Sequence, residues 1–259
     1  MIKQNFIFVF ILLLFYFFTL GCTQQREEKI SLKSEYGVVI KNVSYSKEIG
    51  ENEILNVKVL IKNDGDVDSK NVKVFMEGLS IKWNPATPIE RTIISLPKDY
   101  ETYIDFSSSP AILGENISYS FYFRIEYDYV SKYLGILEVR KEENISRVRL
   151  TSELTSKSPI KINLSSYKYD ETSNKLILSF SILNKEKGKV LGDIILVPED
   201  MICRTTRTRF LKDEKSTGEI ICEIALPNNF VSYSPQVTLT ANFRYTYNSN
   251  EYKVDVFKS

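Results

Sequence analysis

The sequence predicts an all-β protein in which two β-sandwich domains follow an N-terminal signal or anchor segment. From residue 37 onward, apolar and polar residues alternate in short runs that turn residues interrupt, which is the pattern of half-buried strands. Tyr, Phe, Ile and Val, which favour strands, are abundant. Two sequence features also recur about 120 positions later, which indicates a duplicated unit.

Residues 1 to 22 have the composition of a signal segment. The run FIFVFILLLFYFFTL, residues 6 to 20, carries no charge and is shorter than the roughly 20 residues that a membrane-spanning helix needs. Gly21 before Cys22 resembles the cleavage site of prokaryotic lipoproteins, although such signals usually carry Leu where this chain has Thr19. The resemblance implies that Cys22 receives a lipid and becomes the mature N-terminus.

The alternative for this segment is an uncleaved membrane anchor that ends near Cys22. In both cases residues 23 to 36 form a polar tether on the far side of the membrane. We therefore expect an extracytoplasmic protein, attached through its N-terminal lipid or anchor to the outer face of the cytoplasmic membrane.

The first recurring feature is a strand that ends in Ile-x-Asn and is followed by a turn with glycine. It occurs at residues 56 to 78 and again at residues 176 to 197, so that Asn63 and Asn184 lie 121 positions apart. We therefore predict a first sandwich over residues 37 to 140 and a second over residues 158 to 259. The segment between them, residues 141 to 157, is a linker or a last strand of the first domain.

The second recurring feature is a Tyr-x-Tyr pair. Tyr127 and Tyr129 correspond to Tyr245 and Tyr247, with an offset of 118 positions. In both copies the tyrosines share their side of the strand with other apolar residues. Their place on the apolar side of the strand predicts that the tyrosines lie in the core. The alternative is an aromatic platform for sugar binding.

Residues 57 to 78, VKVLIKNDGDVDSKNVKVFMEG, resemble the strand-turn-strand signature of the CARDB-like, immunoglobulin-like modules of bacterial and archaeal surface proteins. The matching positions are Val57, Val59, Ile61, Asn63, Gly65, Val72 and Val74. The second copy departs from this signature, with Lys-Glu-Lys before Gly188. The resemblance implies an immunoglobulin-like sandwich with a surface-display or adhesion role, and it carries no catalytic residues.

Cys203 and Cys222 are the two cysteines that remain after Cys22 is set aside. Each lies beside a strand-like run, and thiols outside the cell tend to oxidise. A metal pair or a catalytic thiol would need histidine or further cysteines, and the chain has no histidine. We therefore predict a disulfide between them.

Composition argues against most catalytic classes. Without histidine, Ser-His-Asp triads and histidine-based acid–base catalysis are excluded, and the chain has no glycine-rich phosphate loop. The 34 basic and 33 acidic residues nearly balance, which gives no electrostatic reason to expect nucleic acid as a partner. We expect no enzyme and no cofactor.

Asp64, Asp66 and Asp68 share the spacing of calcium loops. An EF-hand loop that begins at Asp64 needs Gly at its sixth position and Glu at its twelfth, where this chain has Ser69 and Phe75. A solvated hairpin turn is the interpretation that we prefer, and a calcium site is the alternative.

Two further features bear on partners. Trp83, the only tryptophan, lies in a proline-containing loop and either anchors that loop or contacts a ligand. The acceptor sequence for N-glycosylation occurs four times, at Asn42, Asn116, Asn144 and Asn163.

From these observations we expect a non-catalytic interaction or envelope-structure module, whose partner is an envelope protein or a glycan. The alternative is a carbohydrate-binding or carbohydrate-processing surface lipoprotein.

Overall fold

A computed structural model describes residues 36–111, 114–142, 146–210 and 215–258, and these residues form strands, turns and loops without a helix. The prediction of an all-β fold is therefore confirmed. The described residues accordingly contain no helix of the length and apolarity needed to span a membrane. The strands are β1 (Val38–Tyr45), β2 (Glu48–Gly50), β3 (Leu55–Asn63), β4 (Ser69–Glu77), β5 (Trp83–Asn84), β6 (Ile89–Leu96), β7 (Glu101–Pro110), β8 (Ile117–Lys141), β9 (Ser146–Thr155), β10 (Ile160–Asp170), β11 (Lys175–Asn184), β12 (Lys189–Glu199), β13 (Ile202–Cys203), β14 (Arg207–Thr208), β15 (Ile220–Ala225), β16 (Ser232–Tyr233), β17 (Gln236–Asn248) and β18 (Tyr252–Phe257).

Two four-stranded sheets have corresponding strand orders. The first small sheet runs β1-β3-β7-β5, and the second small sheet runs β10-β11-β15-β13. Both opening strands shift register near their middle, after Ile40 in β1 and after Leu164 in β10. The alternation of Val, Ile and Leu with polar residues in β3 and β11 places one face of each small sheet in the core.

Asn63 and Asn184 form equivalent hydrogen bonds at the ends of β3 and β11. Each side-chain amide donates to the carbonyl oxygen four residues later, at 2.8 Å in both cases. Each side-chain oxygen accepts the backbone N–H two residues later, at 3.1 Å and 3.2 Å. The two asparagines therefore hold the turns that follow β3 and β11 in the same way.

A ten-stranded large sheet joins the two halves of the molecule. Its main path is β14-β12-β17-β8-β18-β2. β4, β9 and β16 also pair with β8, and β6 pairs with β4. β17 lies antiparallel to β8 along all 13 of its residues, and β18 continues along the same strand from Tyr252 opposite Phe121 to Val256 opposite Ile117. β17 and β18 together therefore pair with most of β8, from Ile117 to Ile136.

This pairing crosses the boundary that we predicted at residues 141 to 157. β8 ends at Lys141, where the predicted boundary segment begins, but β17 and β18, which follow that segment in the sequence, both pair with it. β9 lies inside the predicted boundary segment and pairs with residues 133 to 141 of β8. The C-terminal strand β18 instead pairs with the beginning of β8 and with β2, in the first half.

The two small sheets pack on the same side of the large sheet. Phe106 of β7 contacts Phe123 of β8 with ring centroids 5.5 Å apart, and Tyr133 of β8 contacts Phe180 of β11 at 5.4 Å. The side chains between the layers form one buried apolar cluster. This layered arrangement is that of a β-sandwich.

Candidate functional site

The predicted disulfide is present. Cys203 of β13 and Cys222 of β15 lie directly opposite each other in an antiparallel pair, with an S–S distance of 1.99 Å and Cα atoms 3.9 Å apart. Cys222 is fully buried. The bond fastens the short edge strand β13 to the second small sheet.

Several predicted features lie outside the described residues. They are the signal or anchor segment with Cys22, the tether up to residue 35, and the acceptor Asn144. Of the remaining acceptors, Asn42 and Asn163 are half-buried in β1 and β10. Asn116 is exposed, and its side-chain oxygen accepts the N–H of Lys258 at 2.9 Å.

Asp64 is held by two lysines. Its carboxylate contacts the ammonium groups of Lys41 and Lys62, the latter at 2.8 Å. Burial raises the pKa of Asp64, but the hydrogen bonds from Lys41 and Lys62 outweigh burial and hold the pKa below its usual value.

Asp66 and Asp68 accept backbone N–H groups instead. Asp66 accepts the N–H of Lys157 at 2.6 Å, and Asp68 accepts the N–H of Lys98 at 2.9 Å. Among the residues that the structure describes, no three acidic, cysteine or histidine side chains are grouped as metal ligands. The three carboxylates thus order the loops around the end of β3.

The Tyr-x-Tyr pairs and Trp83 are buried. Tyr127, Tyr129 and Tyr245 are at most 2 % exposed, and burial raises the pKa of Tyr129 to about 12. Trp83 is 2 % exposed and packs edge-on against Tyr119 with ring centroids 5.3 Å apart. These aromatic rings have no open face for a sugar, and Trp83 anchors its loop.

An open cleft lies on the surface of the first half, between β6 of the large sheet and β7 of the first small sheet. It has a volume of about 370 Å³ and is lined by residues of both strands and of the turn between them. A neighbouring cleft of about 440 Å³ continues toward β3, and the two clefts share Arg91 and Asp105.

Arg91 bridges the two strands that form this cleft. Its Nε donates to the backbone oxygen of Asp105 in β7 at 3.2 Å, and its Nη1 donates to the backbone oxygen of Glu90 in β6 at 3.0 Å. Its guanidinium carbon lies 5.6 Å from the ring centroid of Phe106. The Arg91 side chain therefore donates hydrogen bonds to backbone carbonyl oxygens on both strands.

Tyr100 and Tyr103 project from the cleft, with 56 % and 58 % of their surface exposed. Tyr103 points outward because Ile104 and Phe106 of β7 point into the core. The ammonium group of Lys58 lies 5.5 Å from the Tyr103 ring centroid. The alternation in TYIDF places Tyr103 on the solvent side, but nothing in the sequence places Tyr100 and Tyr103 beside the same cleft.

The two charged residues that line the first cleft, Arg91 and Asp105, have opposite signs. Lys58 lies 4.0 Å from the exposed carboxylate of Asp105, and Lys73 binds Glu90 at 2.9 Å. The hydrogen bond from Lys73, assisted by Thr92, holds the pKa of Glu90 below its usual value. The cleft thus offers hydrogen-bonding groups and two aromatic faces without a dominant charge.

Comparison with known proteins returns no protein-family model that matches this sequence and no curated protein with significant sequence similarity. The CARDB-like resemblance of residues 57 to 78 therefore stays a prediction.

Proposed function

We propose that this protein is a membrane-anchored extracytoplasmic protein that acts as a non-catalytic interaction or envelope-structure module. Two immunoglobulin-like, CARDB-like sandwich units carry its interaction surfaces. The N-terminal segment holds them at the outer face of the cytoplasmic membrane, through a lipid on Cys22 or through an uncleaved helix.

The pairing of β17 with β8 carries this proposal. All 13 residues of β17 take part in it, so the two small sheets are mounted on one continuous large sheet. Rigid elements hold binding surfaces in a fixed relation better than loops do. Such a body suits a protein that presents surfaces to partners or spaces envelope components.

The disulfide between Cys203 and Cys222 supports the extracytoplasmic location. Disulfides form and persist in oxidising compartments and are rare where thiols are kept reduced. The apolar run at residues 6 to 20 supports the same location independently, as a signal or anchor.

Crosslinking on intact cells tests the proposal. The full-length chain is expressed in its own host and treated with a membrane-impermeant, amine-reactive crosslinker. We expect the exposed lysines to crosslink to envelope components before lysis, and we expect the protein to sediment with the membrane. Labelling that requires cell lysis would rule out the extracytoplasmic location.

The variant Cys22→Ser separates the two modes of attachment. For a lipid anchor, we expect the unprocessed precursor to accumulate or the folded domains to be released. Mass spectrometry of the wild-type protein should then show an N-terminus at a lipid-modified Cys22. An intact N-terminal segment in the mature protein contradicts lipidation and leaves the predicted topology in place.

A further inference from the structure

We infer that the cleft between β6 and β7 binds a neutral oligosaccharide chain. This inference rests on the proposed role as an interaction module and names the class of its partner. It assigns the contact surface to the side chains around Tyr100, Tyr103 and Arg91.

Two tyrosines supply the apolar contact that a sugar needs. Tyr100 and Tyr103 are more than half exposed and line the same cleft. A pyranose ring presents C–H groups on its faces and hydroxyl groups around its rim, so it stacks on an aromatic ring and hydrogen-bonds at its edge. Tyrosine suits such sites, since it combines a rigid apolar ring with a polar tip.

Polar groups for the sugar hydroxyls surround these rings. Beside the tyrosines the cleft is lined by Arg91, Thr92, Ser95, Thr102 and Asp105. The carboxylate of Asp105 is 75 % exposed and accepts hydrogen bonds, while its Lys58 neighbour is at the limit of an ion pair at 4.0 Å. Hydroxyl groups both donate and accept, and they therefore match this mixed set.

The balance of charge selects a neutral chain. Among the residues that line the first cleft, the charge of Arg91 is offset by that of Asp105. Glu90 beside it is already bound by Lys73, and Lys58 adds a single positive charge in the neighbouring cleft. A polyanion or a polycation would gain little from such a surface, because attraction to one group is cancelled by repulsion from another.

Arg91 argues against an added peptide strand. Strand addition requires free backbone N–H and C=O groups along a sheet edge. Here the Arg91 guanidinium binds the carbonyl oxygens of Asp105 in β7 and Glu90 in β6, one on each strand of the cleft. An incoming strand would have to displace it from both. A ligand that uses side-chain contacts meets no such obstacle.

The size and shape of the site fit a chain rather than a single sugar. The cleft of about 370 Å³ is within the range of small-molecule sites. It continues past Arg91 into the neighbouring cleft of about 440 Å³, which is lined by Asn56 and Ser107. An oligosaccharide that stacks on Tyr103 extends across Arg91 into this second space.

The test is calorimetric titration of the full-length chain, purified in detergent, with maltohexaose, cellohexaose, mannohexaose and chitohexaose. We expect at least one of these neutral chains to bind. For that chain, we expect Tyr103→Ala to raise Kd about tenfold or more and Tyr103→Phe to retain binding, since the ring is preserved. Oligogalacturonate, a polyanion of similar length, should bind more weakly.

Tyr167→Ala is the matched control, because Tyr167 is a partly exposed tyrosine on β10, in the other half of the molecule. It should leave Kd unchanged. Trp83 fluorescence during thermal unfolding checks that each variant folds. Failure of all four neutral chains to bind, or equal loss of binding in Tyr103→Ala and Tyr167→Ala, overturns the inference. Crosslinking to envelope components on intact cells then still supports the proposed function, so the two failures are distinguishable.

Discussion

Tyr127 of β8 and Tyr245 of β17 lie directly opposite each other in the large sheet, with ring centroids 5.8 Å apart. They are also the corresponding residues of the two sequence copies, 118 positions apart. An approximate twofold relation between β8 and β17 therefore passes between these two rings. The flanking pairs obey it as well, and they are Tyr129 with Phe243 and Ile125 with Tyr247.

This relation resembles the interface of a symmetric dimer inside one chain. In such an interface, a residue on the twofold axis contacts the equivalent residue of the other copy. Away from the axis, if residue i of one copy contacts residue j of the other, then residue j of the first copy contacts residue i of the second. Because β8 and β17–β18 are long enough to pass through both halves, each contributes to the core of both. We therefore expect the two halves to unfold together.

The hydroxyl groups of two buried tyrosines give a matched test of hydrogen bonding. Tyr245 donates to the side-chain oxygen of Asn184 at 3.2 Å, whereas the Tyr133 hydroxyl is buried without a hydrogen-bond partner in the described part of the chain. We expect Tyr245→Phe to lower the free energy of unfolding by about 1 kcal/mol. Tyr133→Phe should be neutral or stabilising. Urea denaturation measures both, and a larger loss for Tyr133→Phe would contradict the assignment.

Replacing Asn63 and Asn184, which hold the two equivalent turns, should lower the stability of the protein by unequal amounts. Asn63 is fully buried and donates a second hydrogen bond, to the backbone oxygen of Leu96 at 2.9 Å. Asn63→Ala leaves several buried backbone groups without partners, and we expect a loss of about 2 to 4 kcal/mol. Asn184 is only half-buried, so water can hydrogen-bond part of what its side chain leaves. We therefore expect Asn184→Ala to lower the free energy of unfolding by about 1 kcal/mol. Equal losses in urea denaturation would contradict this ranking.

Local sequence patterns predicted much of this architecture. The period of two in LNVKVLIKN identifies β3 and its buried face, because side chains alternate across a strand. The Ile-x-Asn ending that both copies share identified Asn63 and Asn184, whose hydrogen bonds are equivalent. The cysteine count identified the disulfide.

The pairing between distant strands was not predictable in the same way. Period and turn residues report on one strand at a time, and nothing local to Tyr252 indicates that β18 pairs with Phe121. The cleft is a similar case, since Arg91 and Asp105 meet only because β6 and β7 belong to different sheets that face each other. The outward position of Tyr103 was readable from sequence, but its place beside a cavity was not.

Alkaline pH should destabilise the protein through its buried tyrosines. Burial raises the pKa of Tyr129 from 10.0 to about 12, and it raises the pKa values of Tyr127, Tyr245 and Tyr247 in the same direction. The folded state thus holds these protons more tightly than the unfolded state. The corresponding stability is fully present below about pH 10 and is lost as the pH rises toward 12.

We therefore expect the melting temperature to be nearly constant between about pH 8 and pH 9.5 and to fall steeply above about pH 10. Calorimetry gives the melting temperature, and tyrosinate absorbance follows ionisation. Full ionisation of all tyrosines before unfolding would contradict the buried positions.

The last prediction joins the disulfide to the continuity of the large sheet. The bond between Cys203 and Cys222 closes a loop with a sequence separation of 19, and closure of such a loop stabilises a protein by about 3 kcal/mol in the chain-entropy model. Trp83 lies in the first half and is the only tryptophan, so its fluorescence reports on the half that does not contain the bond. Because β8 enters both cores, reduction should lower the stability measured by Trp83 as much as the stability measured by circular dichroism.

The double variant Cys203→Ala, Cys222→Ala should lose a similar amount of stability and no longer respond to the reductant. A Trp83 transition that reduction leaves unmoved, while circular dichroism shows a separate earlier transition, would mean that the halves unfold independently despite the shared strands.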